Sequence, residues 1–221
     1  MGWVETPDGR LRVGKVLGLV RNYRAHAEEG GMQPPSEPVF FLKPTTALLP
    51  GGGRLVVPPD TGVLEAEAEL ALVIGETTKA VRASQADASI LGYCAFLDIT
   101  ARELQRHAMA EGLPWTLAKG MDGFAPISAL RPREEVGDPH DLDIRLAING
   151  EGAQQGSTAE MVHRIPEIVA AISARLTLER GDVIATGTPA GVPRIGAGDR
   201  LDLRIPSVGR LRVTVEGSGS P

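Results

Sequence analysis

The chain has 221 residues and a formal net charge of −5, with a pI near 5.5. This length is enough to bury a large core within one domain. The acidic balance disfavours nucleic acid and anionic membranes as partners, because phosphate recognition needs a concentrated basic face. The sequence therefore predicts a small-molecule ligand and no nucleic-acid partner.

Cysteine usage and hydropathy bear on the compartment. Cys94, within "LGYCAFL", is the single cysteine, so no internal disulfide forms and a reducing cytoplasm fits. We predict that Cys94 packs in the core. The amino terminus lacks the cationic start of a secretion signal, and no apolar stretch has membrane-spanning length. A cytoplasmic protein without a membrane partner is the expectation.

The first half of the chain alternates strand patterns with loops. A strand that turns at Asp8 and Gly9 opens it, and the Pro/Gly-rich runs "GGMQPPSEP" and "LLPGGG" separate short apolar segments up to about residue 60. The strands "ELALVIG" and "ILGYCAFLDI" follow, alternating with helical patterns. Thr100 and Glu103 have the spacing of a capping box, which predicts a helix that starts immediately after Asp98.

The second half adds one strong helix to further strands. "DLDIRLAING" is a strand pattern, and Ser157 with Glu160 forms another capping-box pattern at the start of a helix predicted from about 158 to 175. The apolar positions of this helix, with Pro166 tolerated only near its start, are Ile165, Ile168, Val169 and Ile172. Turns divide the remaining tail into short strands. The pattern predicts a compact, β-rich α+β domain.

Three glutamates stand at alternate positions in "VLEAEAELALVIG". In a strand, Glu65, Glu67 and Glu69 point to the same face. The following "LALVIG" is apolar on both faces, so the strand enters the core, where neighbouring carboxylates repel one another. A hard divalent cation such as Mg²⁺ or Ca²⁺ would compensate this charge through oxygen ligands. A solvated strand edge is the alternative.

Asp98 is a second sign of a cation site. It ends an apolar run, where an unpaired carboxylate is costly, and it would serve as a third ligand. The alternative is a favourable charge at the start of the helix that Thr100 caps. Arg102 and Gln105 lie three residues apart on that helix, and an Arg beside an amide suits a substrate carboxylate.

Seven co-linear segments give the chain a family resemblance. They are "RNYRAHAEE", "FFLKPTTALL", "EAELALVIG", "GYCAFLDITARELQ", "GLPWTLAKGMD", "NGEGAQQGSTAEM" and "LERGDVIATGTPAGV". Together they resemble the fumarylacetoacetate hydrolase family from about residue 15 to 213. The length is similar to that of the family's stand-alone catalytic domain, typified by acylpyruvase and oxaloacetate decarboxylase. The extra amino-terminal domain of the fumarylacetoacetate-cleaving enzymes is not matched.

The resemblance implies a fold, a metal and an assembly. The fold is a mixed β-sandwich roll that forms homodimers, with Mg²⁺, or Mn²⁺ or Ca²⁺ in some members, held at positions matching Glu67, Glu69 and Asp98. Glu65 is left as a flanking residue. The expected organisation is one catalytic domain over 1–221, with an amino-terminal extension (1–14), a mobile lid (about 22–40) and a carboxy-terminal tail (about 214–221).

The same resemblance implies a catalytic pair in the lid. His26 and Glu29 lie three residues apart, so a helical turn brings imidazole and carboxylate together, and the carboxylate orients a general base. Without the family pattern, His26 would be an ordinary surface histidine. Relatives commonly have Gly where this chain has Val20, which puts the backbone path into the lid in question.

Further positions match the family's substrate contacts. Lys119 is assigned to catalysis, because a lysine after the apolar "PWTLA" needs an anionic partner, and a snorkelling surface lysine is the alternative. Thr188 would alternatively complete a turn. The substrate contacts implied are Arg21, Tyr23, Lys43, Arg102, Gln105 and Thr188. His107, His140 and His163 match no family site and are predicted to be surface or helix-face residues.

The implied activity is metal-dependent hydrolysis or decarboxylation of 2-oxo acids, acylpyruvates or oxaloacetate, through a metal-bound enolate. His26 would activate the water, and Lys119 would stabilise the oxyanion. The alternative within the family is the 2-hydroxyhepta-2,4-diene-1,7-dioate isomerase and 5-oxopent-3-ene-1,2,5-tricarboxylate decarboxylase of aromatic catabolism. A non-catalytic metal-binding domain and a homodimeric interaction protein are the competitors from other classes.

Overall fold

The computed structural model describes residues 2–59 and 61–217. Its strands are β1 (Trp3–Thr6), β2 (Gly9–Arg12), β3 (Val16–Leu19), β4 (Phe40–Lys43), β5 (Leu48–Pro50), β6 (Gly53–Val57), β7 (Leu64–Ile74), β8 (Ile90–Ala101), β9 (Ala125–Ile127), β10 (Arg131–Pro132), β11 (Asp143–Ile148), β12 (Glu151–Ser157), β13 (Val183–Ala185), β14 (Arg194–Ile195), β15 (Arg200–Ile205) and β16 (Gly209–Gly217). Its α-helices are α1 (Arg24–Glu29), α2 (Ala83–Ala86), α3 (Arg102–Glu111), α4 (Thr116–Lys119) and α5 (Ile165–Arg175).

Two mixed sheets carry the fold, together with the β1–β2 hairpin. The larger sheet has the order β4-β3-β13-β7-β8-β9-β5, with β10 on β8 and β14 on β7, and it curls around the long central strands β7 and β8. The smaller sheet has the order β12-β11-β15-β16-β6. Both are mixed, because β13–β3, β5–β9 and β16–β6 are parallel pairs. The predicted β-rich α+β roll is confirmed.

The main core lies between the two sheets and α5. Along β7, Ala66, Ala68 and Leu70 belong to this core together with Leu203 of the smaller sheet. Their neighbours point to the opposite face, as the period of a strand requires. On that face a second apolar cluster contains Cys94, whose thiol pKa is raised by burial, so the predicted core position of Cys94 is confirmed.

The helix starts differ from those that the capping boxes predicted. Strand β8 continues through Thr100 to Ala101, and α3 begins at Arg102 without a side-chain cap, so the predicted start after Asp98 is wrong. Ser157 does accept the backbone N–H of Ala159, but it caps only a single 3₁₀ turn over residues 158–160.

The helix predicted from 158 is therefore two elements. The chain leaves the 3₁₀ turn and begins α5 at Ile165, where Glu167 accepts the Arg164 N–H. Pro166 stands in the first turn, where its missing N–H costs nothing. The four apolar positions predicted for the buried face of this helix are all buried: Ile165, Ile168, Val169 and Ile172.

The chain ends pack on this framework. The hairpin over residues 3–12, within the predicted extension, buries Val4 in the second apolar cluster. The predicted carboxy-terminal tail overlaps β16 as far as Gly217, and residues 218–221 lie outside the described part. Among residues 2–59 and 61–217, no helix is long and apolar enough to cross a bilayer.

Candidate active site

Strand register brings the three predicted metal ligands together. β7 and β8 are antiparallel, and Glu67 lies directly across from Asp98, with Glu69 on the same face two residues further along. One carboxylate oxygen of each residue lies within 4.8 Å of the others. All three side chains are buried. The alternative of a solvated strand edge does not describe Glu67 or Glu69.

A loop between β13 and β14 (residues 186–193) borders these carboxylates. β7 pairs with β13 and β14 only toward its two ends, and the loop arches away between them. Side chains complete the ladder there, because Gln154 Oε1 accepts the Ala68 N–H and Thr188 Oγ1 donates to the Ala68 carbonyl. The Gly187 N–H donates to Glu69 Oε2 at 2.7 Å, so the loop also orients this carboxylate.

Lys119 and Arg102 neutralise the outer part of the cluster. Lys119 Nζ lies 2.8 Å from Glu67 Oε2 and 2.7 Å from Asp98 Oδ2. Arg102 Nη2 lies 2.7 Å from Glu67 Oε1, and its Nε donates to Glu65 Oε2 at 2.6 Å. Glu65, predicted to be only a flanking residue, is thus the partner that aligns the Arg102 guanidinium.

Lys43 lies behind the cluster. Its Nζ lies 2.6 Å from Asp98 Oδ1 and donates to backbone carbonyls of Ile99, Lys119 and Phe124. The side chain is only 1% exposed and is absent from the lining of the neighbouring cavity. This position fits support of Asp98 better than the substrate contact that was predicted for Lys43.

The charges of the cluster are unequal. Burial alone would raise the pKa of Glu67, but Lys119 and Arg102 hold it well below its usual range. The pKa of Glu69 is raised, first by burial and then by repulsion from Asp98 and Glu67. Burial alone would lower the pKa of Lys119, but its ion pairs with Asp98 and Glu67 outweigh this effect and raise the pKa above its usual value. Glu69 is therefore the carboxyl of the group whose charged form is least stable, because no cationic side chain of the described residues forms an ion pair with it.

The proposed catalytic pair is close but not directly hydrogen-bonded. His26 Nδ1 lies 3.7 Å from Glu29 Oε2, and this nitrogen is buried without a hydrogen-bond partner in the described chain. Glu29 instead accepts the Gly191 N–H through both oxygens, at 3.0 and 3.1 Å. The loop that orients Glu69 therefore also holds Glu29. Whether the segment over 22–40 is a mobile lid stays a prediction.

A cavity of about 100 Å³ connects His26 with Glu67 and Glu69, and neither Glu29 nor Asp98 lines it. The predicted site residues that line it are Arg21, His26, Glu67, Glu69, Arg102, Gln105, Lys119 and Thr188. Tyr23 does not line it, because its ring is buried in the main core. His163, predicted to be a surface or helix-face residue, is half-buried, and its ring is hydrogen-bonded to the Pro35 carbonyl at 2.9 Å.

Two buried amides position the site and were missed by the sequence reasoning. Asn22 donates to the Thr186 carbonyl and exchanges hydrogen bonds with the His163 backbone, which joins the start of the predicted lid to the loop. Gln154 donates to Thr188 Oγ1 at 2.9 Å. The glutamine lies in the family-like segment "NGEGAQQGSTAEM", but no local pattern separates it from Gln155.

Comparison with known proteins agrees with this arrangement. Residues 15–216 match the model of the Fumarylacetoacetate (FAA) hydrolase C-terminal family. The chain belongs to the fumarylacetoacetate hydrolase family. A mitochondrial oxaloacetate tautomerase of Arabidopsis thaliana is 44% identical, over 94% of this chain and 93% of its own length.

Solved structures share the fold and differ in named activity. Fumarylpyruvate hydrolase from Pseudomonas aeruginosa, in complex with Mn²⁺ and pyruvate, has a TM-score of 0.92 at 34% identity, covering 99% of this chain and 97% of that one. The 2-hydroxyhepta-2,4-diene-1,7-dioate isomerase of Mycobacterium marinum has a TM-score of 0.83 at 38% identity, covering 94% and 76%. Because these relatives are enzymes of the same family, this protein is an enzyme as well. Its cytoplasmic location stays a prediction.

The residues present fit a divalent cation. Glu65, Glu67, Glu69 and Asp98 are four carboxylates against three cationic side chains, which leaves one negative charge beside a set of hard oxygen donors. Among the described residues, Glu69 has no cationic side chain within ion-pair distance. Carboxylate oxygens without softer ligands suit Mg²⁺, Mn²⁺ or Ca²⁺.

Proposed function

We propose that this protein is a divalent-metal-dependent enzyme that acts on 2-oxo acids through their enolates, and that hydrolytic C–C cleavage of acylpyruvates is its reaction. One observation carries the proposal. A single cavity brings the carboxylates of Glu67 and Glu69 together with an ammonium group, Lys119, and an imidazole, His26. A cation site, an oxyanion partner and a base are the groups that this cleavage needs.

Each side chain has a role that follows from its surroundings. A divalent cation held by Glu67, Glu69 and Asp98 would supply Lewis-acid polarisation of the 2-oxo group. Arg102, aligned by Glu65, and Gln105 would orient the substrate carboxylate.

Proton transfer falls to the groups on the other side of the cavity. His26, with Glu29 nearby, would take a proton from the attacking water. Lys119 would donate a hydrogen bond to the developing enolate oxygen. The C–C bond to the hydrated acyl carbon would then break, the acyl group would leave as a carboxylic acid, and protonation of the enolate carbon would give pyruvate.

Keto–enol tautomerisation of oxaloacetate is the second candidate. Three curated relatives, at 42%, 43% and 44% identity, are named oxaloacetate tautomerases. This reaction needs no water, only proton transfer through the same enolate, so Lys119 and His26 would suffice. Decarboxylation of oxaloacetate and dienoate isomerisation also pass through an enolate, and assays must separate them.

The test compares substrates in one experiment. Pyruvate release from acetylpyruvate and loss of enol absorbance from oxaloacetate are followed with Mg²⁺, Mn²⁺ or chelator, for the native chain, His26→Ala and the exposed control His107→Ala. Hydrolysis predicts metal-dependent release from acetylpyruvate that only His26→Ala abolishes. Tautomerisation without pyruvate release would assign the second candidate, and no turnover of either acid despite cation binding would refute the proposal.

Two finer proposals accompany this function. We propose Mg²⁺ as the working cation, because its carboxylate ligands and octahedral preference suit enolate chemistry on a 2-oxo acid. We also propose a homodimer. Isothermal titration with Mg²⁺, Mn²⁺ and Ca²⁺ tests the first, and sedimentation equilibrium tests the second, with a monomer at micromolar concentration as the contrary result.

A further inference from the structure

The cavity beside the carboxylates has a second, apolar side that the proposed chemistry does not use. Its apolar lining consists of Leu19, Val20, Met32, Phe41, Met109 and Trp115. Phe41 and Trp115 form a tilted aromatic pair with ring centroids 5.8 Å apart. Lys119 Nζ lies 5.2 Å from the Phe41 centroid, so the aromatic pair adjoins the reacting end of the cavity.

Most of the lining cations are already committed to protein carboxylates. Arg102 is paired with Glu65 and Glu67, and Lys119 with Glu67 and Asp98. These groups serve the 2-oxo acid end of the substrate. Over the described residues, Arg21 is the lining cation that makes neither an ion pair nor a side-chain hydrogen bond.

Exposed apolar area extends this side toward solvent. Met109 of α3 lines the cavity and is still 44% exposed. Met32, in the predicted lid, is half-buried and lines the cavity as well. Unbranched methionine side chains adapt to apolar ligands of different shape. The apolar surface therefore continues from the aromatic pair to the mouth of the cavity.

We infer that the substrate carries an apolar acyl substituent, seated on Phe41, Trp115, Met32 and Met109, and not a second carboxylate. The inference rests on the proposed function, because it takes the 2-oxo acid head to lie at Glu67, Glu69 and Lys119. Phe41, Met32 and Met109 offer no donor to a distal carboxylate, and Trp115 offers only its neutral indole N–H, whereas all four side chains gain from each methylene that leaves water. The substrate class is then acylpyruvates with alkyl or aryl acyl groups.

Arg21 supports the rival interpretation. A 2-oxo dicarboxylate would place its distal carboxylate on this uncommitted guanidinium. Arg21 holds a left-handed backbone conformation, with φ of 53°, at the entrance to the predicted lid. The two readings differ in one measurable respect, the preference for an apolar or a charged tail of equal shape.

Binding of unreactive 2-oxo acids tests the inference without turnover. Pyruvate, 2-oxopentanoate, 2-oxohexanoate and 2-oxooctanoate are titrated in the presence of Mn²⁺, followed by fluorescence of Trp3→Phe, which leaves Trp115 as the sole tryptophan of the two. We expect the Kd to fall about three- to fourfold per methylene, the transfer free energy of a buried CH₂ group. Quenching or a blue shift of the Trp115 fluorescence emission should accompany binding.

A matched pair of ligands decides between the two tails. 5-Methyl-2-oxohexanoate has the shape of 2-oxoglutarate with methyl groups in place of the distal carboxylate oxygens. The inference requires the methyl compound to bind more tightly. Tighter binding of 2-oxoglutarate, with that preference lost in Arg21→Met, would overturn it.

Substitution of the aromatic surface provides the second arm. For this arm Kd is measured by calorimetry, because Trp115→Ala removes the fluorescent reporter. The ratio of the Kd of pyruvate to that of 2-oxohexanoate should be at least about fivefold smaller in Trp115→Ala than in the native chain, whereas Trp3→Ala, in the hairpin beside Arg10, should preserve this ratio. An equal slope in both variants contradicts the assignment. Failure of the proposed function would appear separately, as absence of pyruvate release from acetylpyruvate while the chain-length series persists.

Discussion

Removal of Lys43 should destabilise the fold more than removal of any exposed lysine. Lys43→Met keeps the apolar stem but removes the second cation beside Asp98 and takes one donor away from each of three backbone carbonyls. Breaking a buried ion pair by deleting one partner costs about 3–5 kcal/mol. For a chain of this size, each kcal/mol lowers Tm by about 2–4 °C, so the expected fall is about 6–20 °C.

Thermal and urea unfolding of the metal-free protein measure this loss. Lys79→Met is the matched control, because Lys79 is exposed and has no ion pair among the residues that the structure describes; we expect a change below about 0.5 kcal/mol there. Equal stability losses in the two variants, or a loss below about 1 kcal/mol for Lys43→Met, would refute the supporting role of Lys43.

Three further predictions follow from the contacts of the site and of α5. Glu69→Gln removes the carboxylate that lacks a cationic partner. The Mn²⁺ affinity, measured by calorimetry, should fall by more than the roughly 10–100-fold that is typical when a residue supporting a metal ligand is lost. The urea midpoint of the metal-free protein should not fall. His140 accepts the Ile165 N–H at 3.0 Å, and burial followed by Arg164 lowers its pKa below 6.5, so stability should be lost as pH falls below about 6.5 in the native chain and not in His140→Gln. Gly191 has a φ of 82°, so Gly191→Val should lower kcat while Gly191→Asn, which tolerates this conformation, retains most of it.

Contrary outcomes are specific for each. Unchanged Mn²⁺ affinity in Glu69→Gln would exclude this residue as a ligand. Parallel stability profiles between about pH 5 and 7.5 would remove His140 as the titrating acceptor. Equal kcat losses in the two Gly191 variants, with unchanged unfolding midpoints, would show that the left-handed conformation is not what holds Glu29.

The sequence was sufficient to find the carboxylate cluster. A charge cannot enter an apolar strand alone, and this rule picked out Glu67, Glu69 and Asp98 without any knowledge of strand order. Their proximity then follows from one event, the antiparallel pairing of two long consecutive strands. The residues' roles in cation binding stay predictions that the Mn²⁺ titrations test.

Lys43 and Gln154 could not be located in the same way. Lys43 lies on β4, three strands away from β7 in the sheet order, and its ammonium group contacts Asp98. Gln154 belongs to the other sheet and accepts the Ala68 N–H where β7 has no neighbouring strand on that side in the described part of the chain. Both contacts depend on how distant strands assemble, and no local periodicity encodes this assembly.

The capping-box errors have a related cause. Thr100 and Glu103 satisfy a local pattern, but the Thr100 hydroxyl is needed elsewhere, since it accepts from Lys119 Nζ at 2.7 Å and donates to the Asp98 carbonyl. The strand therefore continues past the position where a helix would begin. Because Thr100 contacts a buried cation, tertiary structure and not helix propensity determines where this helix begins.

The loop over residues 186–193 links the two halves of the site with bonds of different strength. The Gly187 N–H bond to Glu69 is buried, so breaking it would leave two polar groups without water. The Gly191 N–H bond to Glu29 is exposed, and water can replace it at little cost. An opening of the predicted lid would therefore release Glu29 and His26 while Glu69 keeps its orientation. If the predicted lid opens in this way, substrate would exchange without disassembly of the carboxylate cluster.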